Sequence, residues 1–497
     1  MSDNIRPFVN NPSALLAWLQ AQGIDVSGVA SDSREVRPGD LFLAYKGKVA
    51  DGRHFIEQAI SRGASAIFWE VGDGFSWNPD WLIPNLPVEG MRAYCGPLAH
   101  SIYKRPSEYL SLIAITGTNG KTTVSQWIGS TYPRLCGIVG TLGSGLPGRL
   151  DDTGLTTPGA TTLARCLARF VEEEVHACAL EASSIGIEEG RIDGARIDVA
   201  VFTNLTRDHL DYHGSMERYA AAKERLFTWP YLRLAVINLD DPMGQKIVGK
   251  TTASKLIGFS QNTVACKQHG TMIADEIKET AHGLCFRLCT PRGRARVETT
   301  LFGRHNISNL LAVAAVLIDA GMRPSEVAGR LSRLEPPPGR LEKIGGYGEP
   351  LVIIDYAHTP DALENALKAL QHVASCRDGG LAVVFGCGGG RDRGKRPEMG
   401  KIATDLADRV VLTSDNPRDE LPEDIIHEIS QGAPCAEIIV DRKQAIMQVI
   451  LEAHSTDVIL LAGKGHESYQ EMAGVRRPFS DASEARQALA ARKEVGT

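Results

Sequence analysis

No stretch of this chain is apolar over the ~20 residues that a membrane-spanning helix needs, so insertion into a bilayer is not expected. Residues 1–11 are polar and lack the apolar core of a secretory signal, which points to a cytoplasmic protein. The formal net charge is only −6 over 497 residues, so the strongly basic balance of a general nucleic-acid binder is missing. Ten cysteines are present, but no pair has zinc-ribbon spacing. Cys285 and Cys289 are the closest pair and match no common ligand pattern, and reduced core thiols are the simpler reading. Internal repeats and low-complexity segments are also lacking.

What is present is ordinary globular composition, 43% hydrophobic and 23% charged, with length for two to four domains. One pattern recurs. A short apolar run ends in a polar residue, and a Gly-rich or polar turn follows. Residues 110–115 end at Thr116, 177–180 at Glu181, and 199–202 at Thr203-Asn204. Residues 234–237 end at Asn238, 351–354 at Asp355, and 410–412 at Thr413-Ser414-Asp415. Helix-like stretches such as 161–174 and 309–320 lie between them. Alternation of this kind predicts an α/β fold of parallel sheets, with ligands gathered at the carboxyl ends of the strands. Lys104-Arg105-Pro106-Ser107 precedes one apolar strand, and Pro336-Pro337-Pro338-Gly339 is a break that neither helix nor central strand tolerates. Three domains are therefore expected at 1–107, 108–336 and 337–497. The central one would be a parallel-sheet domain of the P-loop type, flanked by an N-terminal α/β domain and a C-terminal Rossmann-like domain.

Gly117-Thr118-Asn119-Gly120-Lys121-Thr122-Thr123 lies between a strand and a helix. Backbone N–H groups of such a turn wrap phosphate oxygens, and the helix N-terminus adds favourable dipole charge. Lys121 would reach the terminal phosphates, and the Thr122 or Thr123 hydroxyl would hold Mg²⁺. The strict P-loop pattern wants a further Gly where Ile115 stands, so only the compact Gly-x-x-Gly-Lys-Thr form is met. Gly386-Cys387-Gly388-Gly389-Gly390 invites a dinucleotide reading, but the third required Gly is Arg391.

From this loop onward the chain resembles the Mur ligases, which build the peptide of bacterial cell-wall precursors. The resemblance rests on residues 116–123, then Thr156-Thr157-Pro158, Glu181-Ala182-Ser183-Ser184 and the 203–214 run with Asp208-His209-Leu210-Asp211-Tyr212-His213. It continues through Asn306 to Asn309, Asp355-Tyr356-Ala357-His358-Thr359-Pro360 and Asp415-Asn416-Pro417-Arg418, to Gly463-Lys464-Gly465-His466-Glu467. Nearly the whole chain is covered, with the motifs in order. Within the family it is most similar to members that add meso-diaminopimelate.

The resemblance implies ATP and Mg²⁺ as cofactors and a ligase that activates a carboxylate as an acyl phosphate. Glu181, His209, Thr122 and Lys223 would be metal ligands, with Lys223 carbamoylated into an anionic oxygen donor. A surface helix lysine beside Glu224 is the plainer alternative for Lys223, and zinc is an alternative for the histidine-rich run. Asn306, Arg340 and Asp355 would meet the nucleotide, although Asn306 and Asn309 read equally well as helix caps. Ser33, in Ser31-Asp32-Ser33-Arg34, would help to grip uridine diphosphate. Thr156, Thr157, Ser184 and Arg191 would hold the muramoyl-peptide end.

Arg391, Asp415, Asn416, Pro417, Arg418, Gly463 and Glu467 would form the diaminopimelate site. A guanidinium at Arg418 suits the extra carboxylate that distinguishes diaminopimelate from lysine, and Asn416 with Glu467 suits its distal amine. A plain turn is the alternative for Asp-Asn-Pro-Arg. Two positions depart from the family pattern: Ile185, where His is frequent, and His305, where Phe is frequent. The implied partners are the UDP-N-acetylmuramoyl-dipeptide and meso-diaminopimelate, with no nucleic acid and a monomeric chain. Rival readings are a ligase of the same fold acting on another wall precursor or on folate, and a non-catalytic ATP-binding module.

Overall fold

The computed structural model describes residues 11–48, 50–263, 270–280 and 282–495. The first ten residues, read above for a signal core, lie outside them. Three sheets carry the fold, one in each successive stretch of chain. The first has four parallel strands, Gly28–Ala30, Asp40–Ala44, Ala66–Glu70 and Asn85–Val88, paired in chain order.

The second sheet has eleven strands. Its core is parallel, in the spatial order Lys255–Ser260, Leu234–Asn238, Val199–Phe202, Ser111–Thr116, Ala177–Glu181, Cys136–Gly140. Ser111–Thr116 comes first in sequence yet sits in the middle, with later strands added on both sides of it. That is a topological switch point, where the connections diverge and leave a crevice at the carboxyl ends. Both faces are covered, so its residues alternate between two cores rather than between core and water. Ile113 and Ile115 pack on one side with Val124, Ile128 and Leu310. Leu112 and Ala114 pack on the other with Leu163, Leu167 and Phe170. The last three of these lie on one face of the helix Ala160–Glu172 at helical spacing.

The third sheet has six strands. Arg340–Gly345 is antiparallel, and then Leu351–Asp355, Val458–Ala462, Leu381–Phe385, Arg409–Leu412 and Glu437–Ile438 run parallel. The α/β class read from the alternation is what the chain forms. The triple proline precedes Arg340–Gly345 directly, where its missing N–H groups leave no ladder bond unmade.

Candidate active site

Gly117 stands at φ +151°, where a Cβ would fall 1.8 Å from Thr203 Oγ1, and Gly120 at φ +86° presses on Asn309. Only glycine fits either position, because each combines a left-side φ with a close approach. The helix Lys121–Thr131 starts immediately after. Lys121 Nζ folds back and donates to Gly117 O at 2.9 Å and Thr118 O at 2.7 Å. Its ammonium lies below the usual lysine range, mainly through desolvation, with Glu181 and Asp208 opposing.

Glu181 ends its strand fully buried. It accepts bonds from the Thr122 hydroxyl (3.0 Å), the Thr141 hydroxyl (3.0 Å) and the Thr141 backbone N–H (2.9 Å). Gly140 opposite it has no room for a Cβ, which would lie 2.1 Å from Glu181 Oε1. Lys223, on the helix Met216–Glu224, is 1% exposed and donates to Gly117 O at 2.8 Å. The surface-lysine alternative is thus wrong: this amine points inward at the phosphate loop. Burial, reinforced by the Lys121 charge, pushes it well below the usual lysine range. His209 takes a left-handed backbone, φ 52°, with Nε2 at 3.4 Å from Asp208 Oδ2. Among the described residues no three His, Cys, Asp or Glu side chains converge on a metal position. The hard oxygens of Glu181 and Thr122 beside the phosphate loop fit Mg²⁺, which binds through one or two protein oxygens plus substrate phosphates.

Two cavities meet at this point. One is lined by Gly120, Asn306, Asn309, Arg340 and Asp355. Neither asparagine is a cap. Asn306 donates to Phe302 O and accepts from Asn309, inside the helix His305–Asp319. His305 lines the same cavity, and desolvation pushes its imidazole down to about 4. It stands where the resemblance makes Phe frequent, and desolvation there disfavours its charged form. Arg340 crosses from the third sheet to donate to Thr122 Oγ1 at 3.1 Å and stacks over Tyr356 at 4.6 Å. Asp355 accepts the Leu341 N–H at 2.7 Å. Desolvation raises its carboxyl to about 6 against the pull of Arg340.

The second cavity is lined by His209, Arg391, Asp415, Asn416, Arg418, Gly463 and Glu467. Tyr356 and His358 form a wall common to both cavities. Asp415-Asn416-Pro417-Arg418 is more than a turn. Arg418 sits at φ 53°, its N–H donates to Glu471 O, and its guanidinium donates to Gly389 O at 2.6 Å. Asn416 Nδ2 donates to Glu467 at 2.7 Å.

Thr156, Thr157, Ser184 and Arg191, expected at the muramoyl-peptide end, cluster below Glu181. Thr157 Oγ1 donates to Glu181 O, Thr156 accepts from Thr141, and Ser184 bonds His213 at 3.0 Å. Arg191 donates to Thr157 O and to Glu189. Tyr212 donates to that same Glu189, and Lys48 of the first sheet's stretch donates to Tyr212. Ser33 stands apart, bonded to Gln58 in the N-terminal stretch.

Sequence reading missed Thr141, Asp361, Lys395 and Lys464. Asp361 accepts from Asn119 at 2.8 Å across 242 residues, and Lys395 donates to His358 O at 2.7 Å. None has a local signature. Lys464 alone lay inside a quoted motif.

Family models match three parts of the chain: "Mur ligase family, catalytic domain" over residues 25–103, "Mur ligase middle domain" over 115–317, and "Mur ligase, glutamate ligase domain" over 339–465. A UDP-N-acetylmuramoyl-L-alanyl-D-glutamate–2,6-diaminopimelate ligase of Chromobacterium violaceum is 45% identical, over 96% of each chain. The enzyme so named in Pseudomonas aeruginosa is 46% identical, over 93% of this chain and 94% of its own. A solved structure carrying that enzyme's name is 36% identical with TM-score 0.65, covering 94% of this chain and 95% of the other. The MurF ligase of Thermotoga maritima, solved with ADP, has the same fold at 19% identity and TM-score 0.66, covering 95% and 99%. The chain belongs to the Mur ligase family.

Proposed function

We propose that this chain is an ATP-dependent amide ligase joining meso-diaminopimelate to the D-glutamate of UDP-N-acetylmuramoyl-L-alanyl-D-glutamate, in the cytoplasm, as a step of peptidoglycan precursor synthesis. The observation that carries the substrate choice is the second cavity, where Arg418 lies beside the Asn416–Glu467 pair and shares a wall with the nucleotide-side cavity. The full-length relatives named for this reaction support it.

The D-glutamate carboxylate takes the γ-phosphoryl group of ATP. The amine of diaminopimelate then attacks the acyl carbon, and phosphate leaves. Negative charge grows on the transferring group, so fixed cations and N–H groups around it lower the barrier. In this reading the loop 117–123 cradles the phosphates, and Lys121 swings from its carbonyl contacts to meet them. Arg340 and Asp355 hold the nucleotide from the third domain, with Asn306 on the base side. Thr122, Glu181, His209 and a carbamoylated Lys223 would hold Mg²⁺, which supplies Lewis-acid charge to the phosphoryl oxygens. Thr156, Thr157, Ser184 and Arg191 position the muramoyl peptide, and Ser33 belongs to the uridine diphosphate grip. Arg418 pairs with the distal carboxylate of diaminopimelate, Asn416 and Glu467 face its distal amine, and Arg391, Asp415 and Gly463 complete that pocket, whereas Pro417 stays outside its lining and serves the turn. One chain supplies every one of these groups, which supports a monomer with small-molecule partners.

The test supplies ATP, Mg²⁺ and the UDP-muramoyl-dipeptide, with diaminopimelate or lysine in separate reactions. Phosphate release and the mass gain are expected with diaminopimelate. A gain with lysine alone would sink the substrate assignment. Arg418→Ala should raise KM for diaminopimelate by about ten- to a hundredfold, the loss of a charge-assisted bond, while KM for ATP holds.

A further inference from the structure

Behind the second cavity lie two buried cations that the reaction as described does not use. Lys464 is 0% exposed, and its ammonium donates to Glu467 Oε2 at 2.9 Å and to Asn416 Oδ1 at 3.1 Å. Asn416 donates to the same Glu467 oxygen at 2.7 Å and accepts the Glu471 N–H at 2.9 Å. Lys464 does not line the cavity; Glu467 and Asn416 do. Beneath Asp415 is a second cation, Arg442, which is fully buried and doubly bonded to the equally buried Asp481, at 2.8 and 2.7 Å. Arg442 also donates to Ala462 O, at the end of the strand that leads to Lys464. Its third nitrogen, Nη1, is buried with no partner among the described residues. Arg442 acts electrostatically on both Asp415 and Glu467.

Two buried cations thus face three carboxylates, Asp415, Glu467 and Asp481. Glu467 and Asp481 each bond one of these cations directly, and Arg391, Lys395 and Arg418 line the cavity above. Both bonds to Glu467 fall on Oε2, and the carboxylate is 17% exposed and lines the cavity, so a cation brought in there would meet Oε1. From this juxtaposition we propose that Lys464 is a positioning residue for substrate selection. It clamps one oxygen of Glu467 and the Asn416 carbonyl, so that the other Glu467 oxygen meets an ammonium carried on the far end of the incoming amino acid. The proposal deepens the diaminopimelate reading and rests on it. Lys464 acts through its neighbours and touches no reacting atom.

The experiment measures KM and kcat for purified wild type, Lys464→Met and Lys464→Arg with two acceptors. One is diaminopimelate. The other is 2-aminopimelate, which keeps both carboxylates and the attacking amine but lacks the distal amine. Lys464→Met should raise KM for diaminopimelate about ten- to a hundredfold, with KM for ATP unchanged. With 2-aminopimelate the variant and wild type should differ by less than about twofold. Lys464→Arg, which keeps charge and donors, should recover part of the loss. An equal penalty on both acceptors, or on ATP, means a merely structural lysine and overturns the proposal, as does an unchanged KM for diaminopimelate. If Lys464→Met does not fold, Lys464→Gln carries the same comparison, because its amide is uncharged and still offers N–H donors. Wild type that turns over no diaminopimelate would topple the substrate reading itself, an outcome visible before any variant is compared.

Discussion

At the scale of single residues, burial displaces some of the site's groups from their ordinary ionisation. Lys223 is the clearest. Burial and the nearby Lys121 charge favour its neutral amine, and a neutral amine is the form that adds CO₂. Wild type grown and assayed with ¹³C-bicarbonate should therefore show a carbamate carbon resonance that Lys223→Ala lacks. A spectrum without that signal in active enzyme would remove the carbamate. Asp355 is displaced the other way, its carboxyl raised to about 6 by desolvation. A raised acid contributes stability that is complete below the unfolded value near 3.8 and is lost as pH rises through 6. The stability of nucleotide-free wild type relative to Asp355→Asn should therefore decline between pH 4 and pH 7. Urea titrations of both proteins across that range check it, and a constant difference would contradict the assignment.

At the scale of elements, strand ends and the turns after them do the positioning. Thr116, Glu181 and Asp355 close parallel strands and Thr203 directly follows another, Val199–Phe202, as the recurring sequence pattern implied. What that pattern could not show is how tightly neighbouring strands confine these residues. Gly140 belongs to an adjoining strand, and its missing side chain is the space that the Glu181 carboxylate fills. Gly140→Ala should push that carboxylate off the Thr122 and Thr141 hydroxyls. The expected result is a higher Mg²⁺ requirement and a kcat lowered by roughly tenfold or more, since displacement by about 1 Å at a reacting centre has costs of that order. Normal kinetics at low Mg²⁺ would show that Glu181 is not needed where it stands. The Asp415–Arg418 turn owes its shape to another element, the strand Tyr469–Met472, which takes the Arg418 N–H and leaves that residue at φ 53°.

At the scale of the whole molecule, the central and third sheets meet across the nucleotide side. Arg340 bonds Thr122, Asn119 bonds Asp361, and Arg207 pairs with Asp392 at 3.1 Å. The last pair is partly exposed to water and contributes at most about 1 kcal/mol. A ligand that touches both sides should therefore dominate the coupling, by mass action on the joined state. Hydrogen exchange should slow in residues 117–123 and 355–366 together when a non-hydrolysable ATP analogue and Mg²⁺ are added. Protection confined to the central loop would show that the third domain takes no part in nucleotide binding.

The sequence by itself determined the α/β class, the glycine-rich turn at 117–123 between strand and helix, and the strand-end acids. Each of these is a local feature: a periodic apolar run, a glycine that the backbone demands, or a charged residue at a fixed distance from a strand. Only the tertiary structure decided that Lys223 faces inward, that His305 lines the same cavity as Asn306, that Asn306 bonds Phe302 and Asn309 and is no cap, and that Lys464 stands behind Glu467. Burial and desolvation depend on what packs against a residue. Asp361 and Asn119, for instance, are 242 positions apart in the chain and 2.8 Å apart in the fold.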